Sequence, residues 1–277
     1  MIVFPNSKIN LGLRIHRKRS DGYHDIETIF YPIPLTDILE IVRYNQYLKS
    51  SSIPFTKSGL IIDGDPSDNL CIKAYKLLRK DFPQISNIQM HLHKAVPAGA
   101  GLGGGSADAA FTLITLNKEF KLGLSDDQLI QYAIKIGSDC PFFVINKPRY
   151  AAGRGELMEH IDLNLSAYKI VVVNPGIHIN TGRAFLHAKP AVPEESLKEI
   201  IARPVERWKD DLVNDFEKWV FSEYQQIVEI KDELYIKGAL YASLSGSGST
   251  VYGIFPKEKI LHLSFPGYFF VKELSLN

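Results

Sequence analysis

The densest chemical signal in the chain is Pro97-Ala98-Gly99-Ala100-Gly101-Leu102-Gly103-Gly104-Gly105-Ser106, with five glycines in the seven positions 99–105. Glycine has no Cβ, so such a run lets the backbone approach a ligand and turn successive N–H groups toward it. Alternating apolar residues, Ile88, Met90 and Leu92, lead into the run, and a helix is predicted after it over 107–116. The unpaired N–H groups and positive dipole end of that helix favour an anion, so a phosphate or pyrophosphate is the natural guest. A linker, or a plain strand-to-helix connection, is the bland alternative. Gly99-x-Gly101-x-x-Gly104 formally matches the dinucleotide fingerprint, which also needs a second parallel strand ending in an acid about 20 residues on. Here a second helix over 126–136 follows instead, opened by Ser125 and Gln128 as a capping box. No Lys-Ser/Thr pair follows the last glycine, so the run is not a Walker A loop either.

Other reactive side chains read less sharply. Asp139, in Ile136-Gly137-Ser138-Asp139, is a turn or helix-end residue that becomes a base if it meets a hydroxyl. Cys140 beside it lacks the His–Asn pattern of a cysteine nucleophile. His91 and His93 alternate with core residues and read as surface strand histidines rather than metal ligands.

The elements that must position these residues follow from periodicity. Ile9, Leu11, Leu13 and Ile15 alternate with Asn10, Gly12, Arg14 and His16, so a strand puts Lys8 and Asn10 on the face opposite the apolar set. Ser20-Asp21-Gly22 signals a hairpin, with a returning strand over 26–33 and a further one over 38–42. Residues 45–68 read as loops with a short strand at 60–62, punctuated by Gly64 and Pro66, and 69–79 reads as a helix. Beyond Glu156 come a strand over 168–173, then Asn174-Pro175-Gly176, then helical patterns over 193–240 broken at Pro204 and at 219–222. A glycine-serine turn over 243–250 leads into a strand over 251–255, and a last strand lies near 268–272. Two α+β halves, 1–156 and 157–277, fit this order better than one alternating parallel sheet.

Bulk properties narrow the class. The 277 residues are 45% hydrophobic and 23% charged with a net charge of +1, which speaks against nucleic acid or an anionic membrane as partner. The basic cluster Arg17-Lys18-Arg19 is too short to alter that. Cys71 and Cys140 form no metal or redox motif. No stretch approaches the roughly 20 apolar residues of a membrane span, and the N-terminal residues have no signal-peptide pattern. A soluble cytoplasmic protein in a reducing compartment is expected.

The segment PAGAGLGGGSADAA at 97–110 resembles the phosphate loop of the galactokinase, homoserine kinase, mevalonate kinase and phosphomevalonate kinase (GHMP) superfamily. PNSKINL at 5–11, DGYH at 21–24 and GSDCP at 137–141 resemble its branch acting on a cytidylyl-diphosphate sugar alcohol, and NPGI at 174–177 and LSGSGS at 244–249 fit the same branch. These segments fall in order over nearly the whole chain. The resemblance implies an α+β, two-domain GHMP kinase fold, with an N-terminal ribosomal-protein-S5-like domain, a C-terminal ferredoxin-like α/β sandwich domain and an active site in the interdomain cleft. It implies transfer of the γ-phosphoryl group of ATP, with Mg2+, to the 2-hydroxyl of that alcohol, a step of the non-mevalonate route to isoprenoid precursors. It also implies a monomer or weak homodimer.

By the same resemblance, Asp139 matches the catalytic base and Lys8 its cationic partner. Pro97, Ala98, Gly99, Ala100, Gly101, Leu102, Gly103, Gly104, Gly105 and Ser106 match the ATP-phosphate loop, while Lys94 and Asn69 match positions near the nucleotide. Asn10, Tyr23 and His24 match substrate-binding residues, the last two at the cytidine base; Thr181 and Phe185 fall where the branch has a hydroxyl contact and a second stacking aromatic. Two features depart from the pattern. Ala107 stands where a second serine is common, which leaves the magnesium ligands open and Asp108 either near a metal or simply a first-turn acid. A closing helix is hard to see in 256–266. The competing readings are a sister kinase for mevalonate, homoserine or a sugar, a dinucleotide-binding oxidoreductase, and a nucleotide sensor without catalysis.

Overall fold

The computed structural model describes residues 1–43, 53–61, 65 and 68–276, and among them the strands form three four-stranded sheets. They pack as two compact units, one of Met1–Ser7, Leu35–Ala98 and Gly103–Lys147, the other of Lys8–Pro34, Gly99–Leu102 and Pro148–Asn277. Residues 99–102 of the glycine run therefore belong to the second unit, and the residues on either side of them to the first.

In the first unit, β1 (Ile2–Val3), β4 (Ile38–Arg43), β6 (Ile88–Lys94) and β5 (Phe55–Gly59) lie side by side in that order. β4 and β6 are antiparallel, from Ile38 opposite His93 to Arg43 opposite Ile88, and β5 runs parallel to β6. Alternation puts Leu39, Ile41, Ile88, Met90 and Leu92 on one face, in a core with Cys71, Tyr75 and Leu78 of α1 (Leu70–Asp81) and Leu113 and Leu116 of α2 (Gly104–Glu119). α3 (Asp126–Ile134) adds Leu129 and Ala133, and α4 (Cys140–Ile145) adds Cys140. The capping box expected at Ser125 and Gln128 is present. His91 and His93 take the other face of β6, hydrogen-bonded to Thr56 and Ser58 at 2.7 to 2.9 Å.

The second unit holds two sheets. In one, β2 (Asn6–Lys18), β3 (His24–Thr36), β7 (Arg149–Ala152) and β8 (Leu157–His160) are neighbours in that order. In the other, β10 (Tyr241–Leu244), β11 (Val251–Pro256), β9 (Tyr168–Asn174) and β12 (Phe270–Ser275) are all antiparallel. Leu13 and Ile15 of β2 share a core with Val171, Val173, Leu244 and Phe255. α7 (Glu217–Glu223) and α8 (Gln225–Ile236) supply Val220, Ile227, Ile230 and Leu234 to it, and α5 (Thr181–His187) supplies Ala184. α6 (Leu197–Ile201) and a short 3-10 helix at Val205–Arg207 lie between α5 and α7 in the chain. The hairpin between β2 and β3 closes as the sequence predicts, with Gly22 at φ +87° and Arg19 N donating to Tyr23 O at 2.8 Å.

Several expectations shift. Residues 60–61 are not a strand; β5 comes earlier, and Ile62, Gly64 and Pro66 lie outside the described residues. α2 starts at Gly104 rather than 107, because Gly103 takes the left-handed N-cap conformation at φ +70° and the last two glycines join the helix. The expected break at 219–222 lies inside α7, where Trp219 and Val220 face the core, and the break is Tyr224 instead. α5 falls between Asn174-Pro175-Gly176 and the helical patterns expected from 193, where no element is predicted, and is nucleated by Asn180 Oδ1 accepting from Arg183 N at 3.0 Å. β12 begins at Phe270, two residues later than expected, and no helix forms over 256–266. Among the described residues no helix is long and apolar enough to cross a membrane.

Candidate active site

The share of the loop in the second unit, 99–102, is held by its carbonyl oxygens. Ala100 O accepts from Thr250 N at 3.3 Å, Leu102 O from Lys8 N at 3.0 Å, and Gly101 O from Ser245 Oγ at 2.8 Å and Lys8 Nζ at 3.2 Å. Backbone packs so closely here that side chains have no room. A Cβ on Gly101 would sit 1.9 Å from Ser245 O, and one on Gly248 would sit 2.2 Å from Ala100 C and Gly101 N. The glycine-serine turn between β10 and β11 thus sets the shape of the loop, and each requires the other's glycine.

Lys8 and Asn10 project from β2. The alternation of β2 suggests a solvent face for them, yet Lys8 is only 3% exposed and Asn10 2%. Both faces of the strand are covered, so the polar pair is enclosed and has to be satisfied internally. Lys8 Nζ donates to Asn10 Oδ1 and lies 5.1 Å from the centre of the Phe30 ring. Asn10 Nδ2 donates to Thr28 Oγ1 at 2.9 Å, Asn10 N donates to Ser245 Oγ at 3.3 Å, and Tyr252 OH donates to Asn10 O at 2.8 Å.

At the start of β3, Tyr23 is 56% exposed and lies under the Arg154 guanidinium at 4.7 Å from the ring centre. His24 stacks on Phe185 with centroids 4.9 Å apart and planes at 16°, and Phe185 meets Phe216 edge-on. Burial, and then the charge of Lys18, lower the His24 pKa, which favours the neutral imidazole. Thr181 and Phe185 are four apart on α5, so one helical turn carries both on one side. Thr181 Oγ1 bonds Ser247 Oγ at 2.9 Å.

In the first unit, α2 has a glycine N-cap with no capping side chain, so its first-turn N–H groups point out at the end of the run. Ser106 is half-buried in this first turn. Lys94, at the end of β6, is buried and ion-paired with Asp37 and, at 2.9 Å, with Asp108 of α2. Burial works against the Lys94 charge, but Asp108 and Asp37 outweigh it and raise its pKa. Burial pushes the Asp108 carboxyl up to about 7; Lys94 opposes the rise and Asp37 adds to it. Asn69 is the N-cap of α1, its Oδ1 accepting from Cys71 N at 2.9 Å.

Asp139 is half-buried and stands at the N-cap position of α4, but its side chain makes no capping bond there. Burial pushes the thiol of Cys140 up to about 12, although the Ser106 hydroxyl beside it pulls the other way. It is protonated at neutral pH and is no nucleophile.

Within the second unit the fold brings together Lys8, Asn10 and Gly101, and separately His24 with Phe185; within the first it brings Lys94 against Gly104. The sequence reading passes over Asp37, Thr28 and Arg154. Asp37 shows in the sequence only as a lone acid between two strands, Thr28 as an ordinary strand residue, and Arg154 as a basic residue between two glycines.

Two family models match the chain: GHMP kinases N terminal domain over residues 69–147 and GHMP kinases C terminal over 195–261. A 4-diphosphocytidyl-2-C-methyl-D-erythritol kinase of Bacteroides fragilis is 52% identical over 270 residues, covering 97% of each chain. The enzyme of that name from Bacteroides thetaiotaomicron is 51% identical over 261 residues, covering 94% of each. A crystal structure of 4-(cytidine 5'-diphospho)-2C-methyl-D-erythritol kinase has the same fold, with a TM-score of 0.78 at 26% identity and 100% of both chains covered.

Proposed function

The chain belongs to the 4-diphosphocytidyl-2-C-methyl-D-erythritol kinases of the GHMP family, and from that premise we propose how its residues divide the reaction. It phosphorylates the cytidylyl-diphosphate sugar alcohol with ATP, in the methylerythritol phosphate route to isoprenoid precursors. Phosphoryl transfer asks a protein mainly for positioning and charge stabilisation, with one group to take the alcohol proton. In our reading the acceptor is the 2-hydroxyl, Asp139 takes its proton, and Lys8 supplies the positive charge. The half-buried setting of Asp139 at the start of α4 supports the first role. The burial of Lys8 supports the second, since an enclosed ammonium acts through a low local dielectric.

The loop, Pro97 to Ser106, holds the phosphates of ATP, with Asn69 nearby. The observation that carries this is the uncapped, glycine-led N-terminus of α2; separately, within the second unit, the loop carbonyls of Ala100, Gly101 and Leu102 are tied back. Carbonyls so held keep their negative ends off an incoming phosphate. Tyr23 offers an aromatic face to the cytosine and the imidazole of His24 exchanges hydrogen bonds with its edge, with Phe185 as a second aromatic packed on His24 and Asn10 and Thr181 as further polar contacts.

Magnesium belongs to the same proposal. It keeps most of its water and phosphate ligands and asks for few from the protein. The half-buried hydroxyl of Ser106 at the α2 N-terminus fits that demand and would hold it. When bound, the ion offsets charge on the transferring phosphates. The division at 156/157 into ATP-binding and C-terminal domains is supported by matched spans lying on either side of it. Two buried, unpaired cysteines, Cys71 and Cys140, support a cytoplasmic setting.

The experiment is to follow ADP release from magnesium-ATP with the cytidylyl substrate, mevalonate, homoserine and galactose in parallel, for the wild type and Asp139→Asn. Turnover on the cytidylyl substrate alone is expected, falling about 10²- to 10⁴-fold in the variant. An Asp139→Asn enzyme within threefold of wild type would remove Asp139 from the role of base.

A further inference from the structure

Lys94 stands at a position matched to the nucleotide, but its side chain is engaged elsewhere. It is 3% exposed, and its ammonium is paired with Asp37 and Asp108, whose side chains are 0% and 4% exposed. Asp37 Oδ1 also accepts from Ala95 N at 2.7 Å and Val96 N at 2.9 Å, the two residues between β6 and the glycine run. Asp108 lies in α2, just beyond the run, and its carbonyl accepts from Thr112 Oγ1 at 2.7 Å. Gly104, the first residue of α2, rests directly on this cluster: a Cβ there would lie 3.1 Å from Val96 Cγ1 and 3.2 Å from Lys94 Nζ.

We propose that Asp37, Lys94 and Asp108 form a buried strap that ties the segment entering the phosphate loop to the helix leaving it, making Lys94 a positioning residue for ATP rather than a ligand of its phosphates. The proposal rests on the reading of 97–106 as the ATP-phosphate loop. With Asp108 ionised the cluster carries one negative charge and with Asp108 protonated it carries none, so in neither state has it a net attraction for a phosphate. One oxygen of Asp108, Oδ1, is buried with no hydrogen-bond partner among the described residues, a further sign that charge placement here is not tuned for stability alone. Apolar residues of like volume would fill the space as well or better. What they lack is direction: an ammonium between two carboxylates fixes the separation of three backbone segments. Residues 94–96, 104 and 108 are thereby held in one geometry before nucleotide arrives, and misplacement of a binding element by about 1 Å is costly to a reaction of this kind.

The test separates strap from ligand by freeing Lys94. Asp37→Asn and Asp108→Asn each remove one charged partner and leave the lysine in place. Magnesium-ATP affinity is measured by titration calorimetry, KM for each substrate by ADP release, and amide hydrogen exchange over 97–106 in the nucleotide-free protein. The strap predicts that both variants, and Lys94→Met, lose ATP affinity by roughly 10- to 100-fold. It also predicts faster exchange over 97–106 and a KM for the cytidylyl substrate within about threefold of wild type, a split that general loss of stability would not produce. Equal or tighter ATP binding in Asp37→Asn and Asp108→Asn, with binding lost only in Lys94→Met, would overturn it and return Lys94 to the phosphates. If Lys94→Met does not fold, the two carboxylate variants decide alone. A wild-type protein that binds no magnesium-ATP would sink the reading of the loop, and the exchange data over 97–106 would still judge the strap.

Discussion

At the scale of single residues, environment rather than type decides chemistry. A lysine on an alternating strand is ordinarily a solvated surface residue, but Lys8 is enclosed with its ammonium on Asn10 Oδ1, Gly101 O and the ring of Phe30. Histidine shows the same effect. Burial and the nearby Lys18 depress the pKa of His24, and Phe185 stacks against its face. The sign of the pH dependence follows. A histidine whose folded pKa lies below its unfolded value of about 6.5 binds fewer protons when folded, so it lowers stability as pH falls through and below about 6.5 and has no effect well above it. The KM for the cytidylyl substrate is expected to stay flat from about pH 7 upward and to rise in acid, as the ring gains a proton and loses its acceptor nitrogen. His24→Phe should abolish the acid limb while keeping the stack. Steady-state KM and thermal unfolding across pH 5 to 8 measure both; an unchanged acid limb in the variant rules His24 out as its source.

At the scale of elements, the glycine run works because two loops interlock. Gly101 has φ +84° and Gly248 meets the backbone of Ala100 and Gly101, so a methyl group on either collides with main chain rather than with a side chain that can swing aside. Gly101→Ala and Gly248→Ala are each expected to weaken magnesium-ATP binding by about 100-fold. Gly22→Ala is the control. It carries a positive φ of +87° with nothing within 4 Å of the added Cβ, so it costs only about 1–2 kcal/mol of backbone strain and leaves ATP binding intact. Calorimetric titration and melting curves of the three variants check this, and ATP binding of wild-type strength in Gly248→Ala would refute the interlock. α5 is the other element that matters here. Its first turn begins at an asparagine cap, and the helical turn that follows puts Thr181 and Phe185 on one side.

At the scale of the molecule, chain order and packing order differ. β2 runs early in the sequence, yet Leu13 N donates to Val213 O at 2.9 Å, Asp215 N to Leu13 O at 2.8 Å, and Ala191 N to Ile15 O at 2.9 Å. Leu13 and Ile15 belong to the same core as Val171, Phe216 and Ile230. A fragment of 1–156 loses those partners, and 157–277 loses the strand that covers its core. Neither is expected to show a cooperative thermal transition alone, while an equimolar mixture should regain β-sheet circular dichroism. A sharp, reversible melt of isolated 1–156 would show that the first half needs none of these contacts.

What the sequence determined by itself is whatever short-range physics enforces. The hairpin at Asp21-Gly22, the capping box at Ser125 and Gln128, the strands with alternating apolar residues, and a phosphate-seeking glycine run before a helix all depend on residues a few positions apart. The named roles of Asp139, Lys8, Tyr23 and His24 came from resemblance, because no local pattern distinguishes them from turn and strand residues. Tertiary structure alone decided the rest. It buried both faces of β2 and turned Trp219 into a core residue. It set Asp37 against Lys94, 57 residues away, and Ser245 against Gly101, 144 away. Such pairings leave no periodicity in the chain, since their energy is realised only after other segments have packed and excluded water.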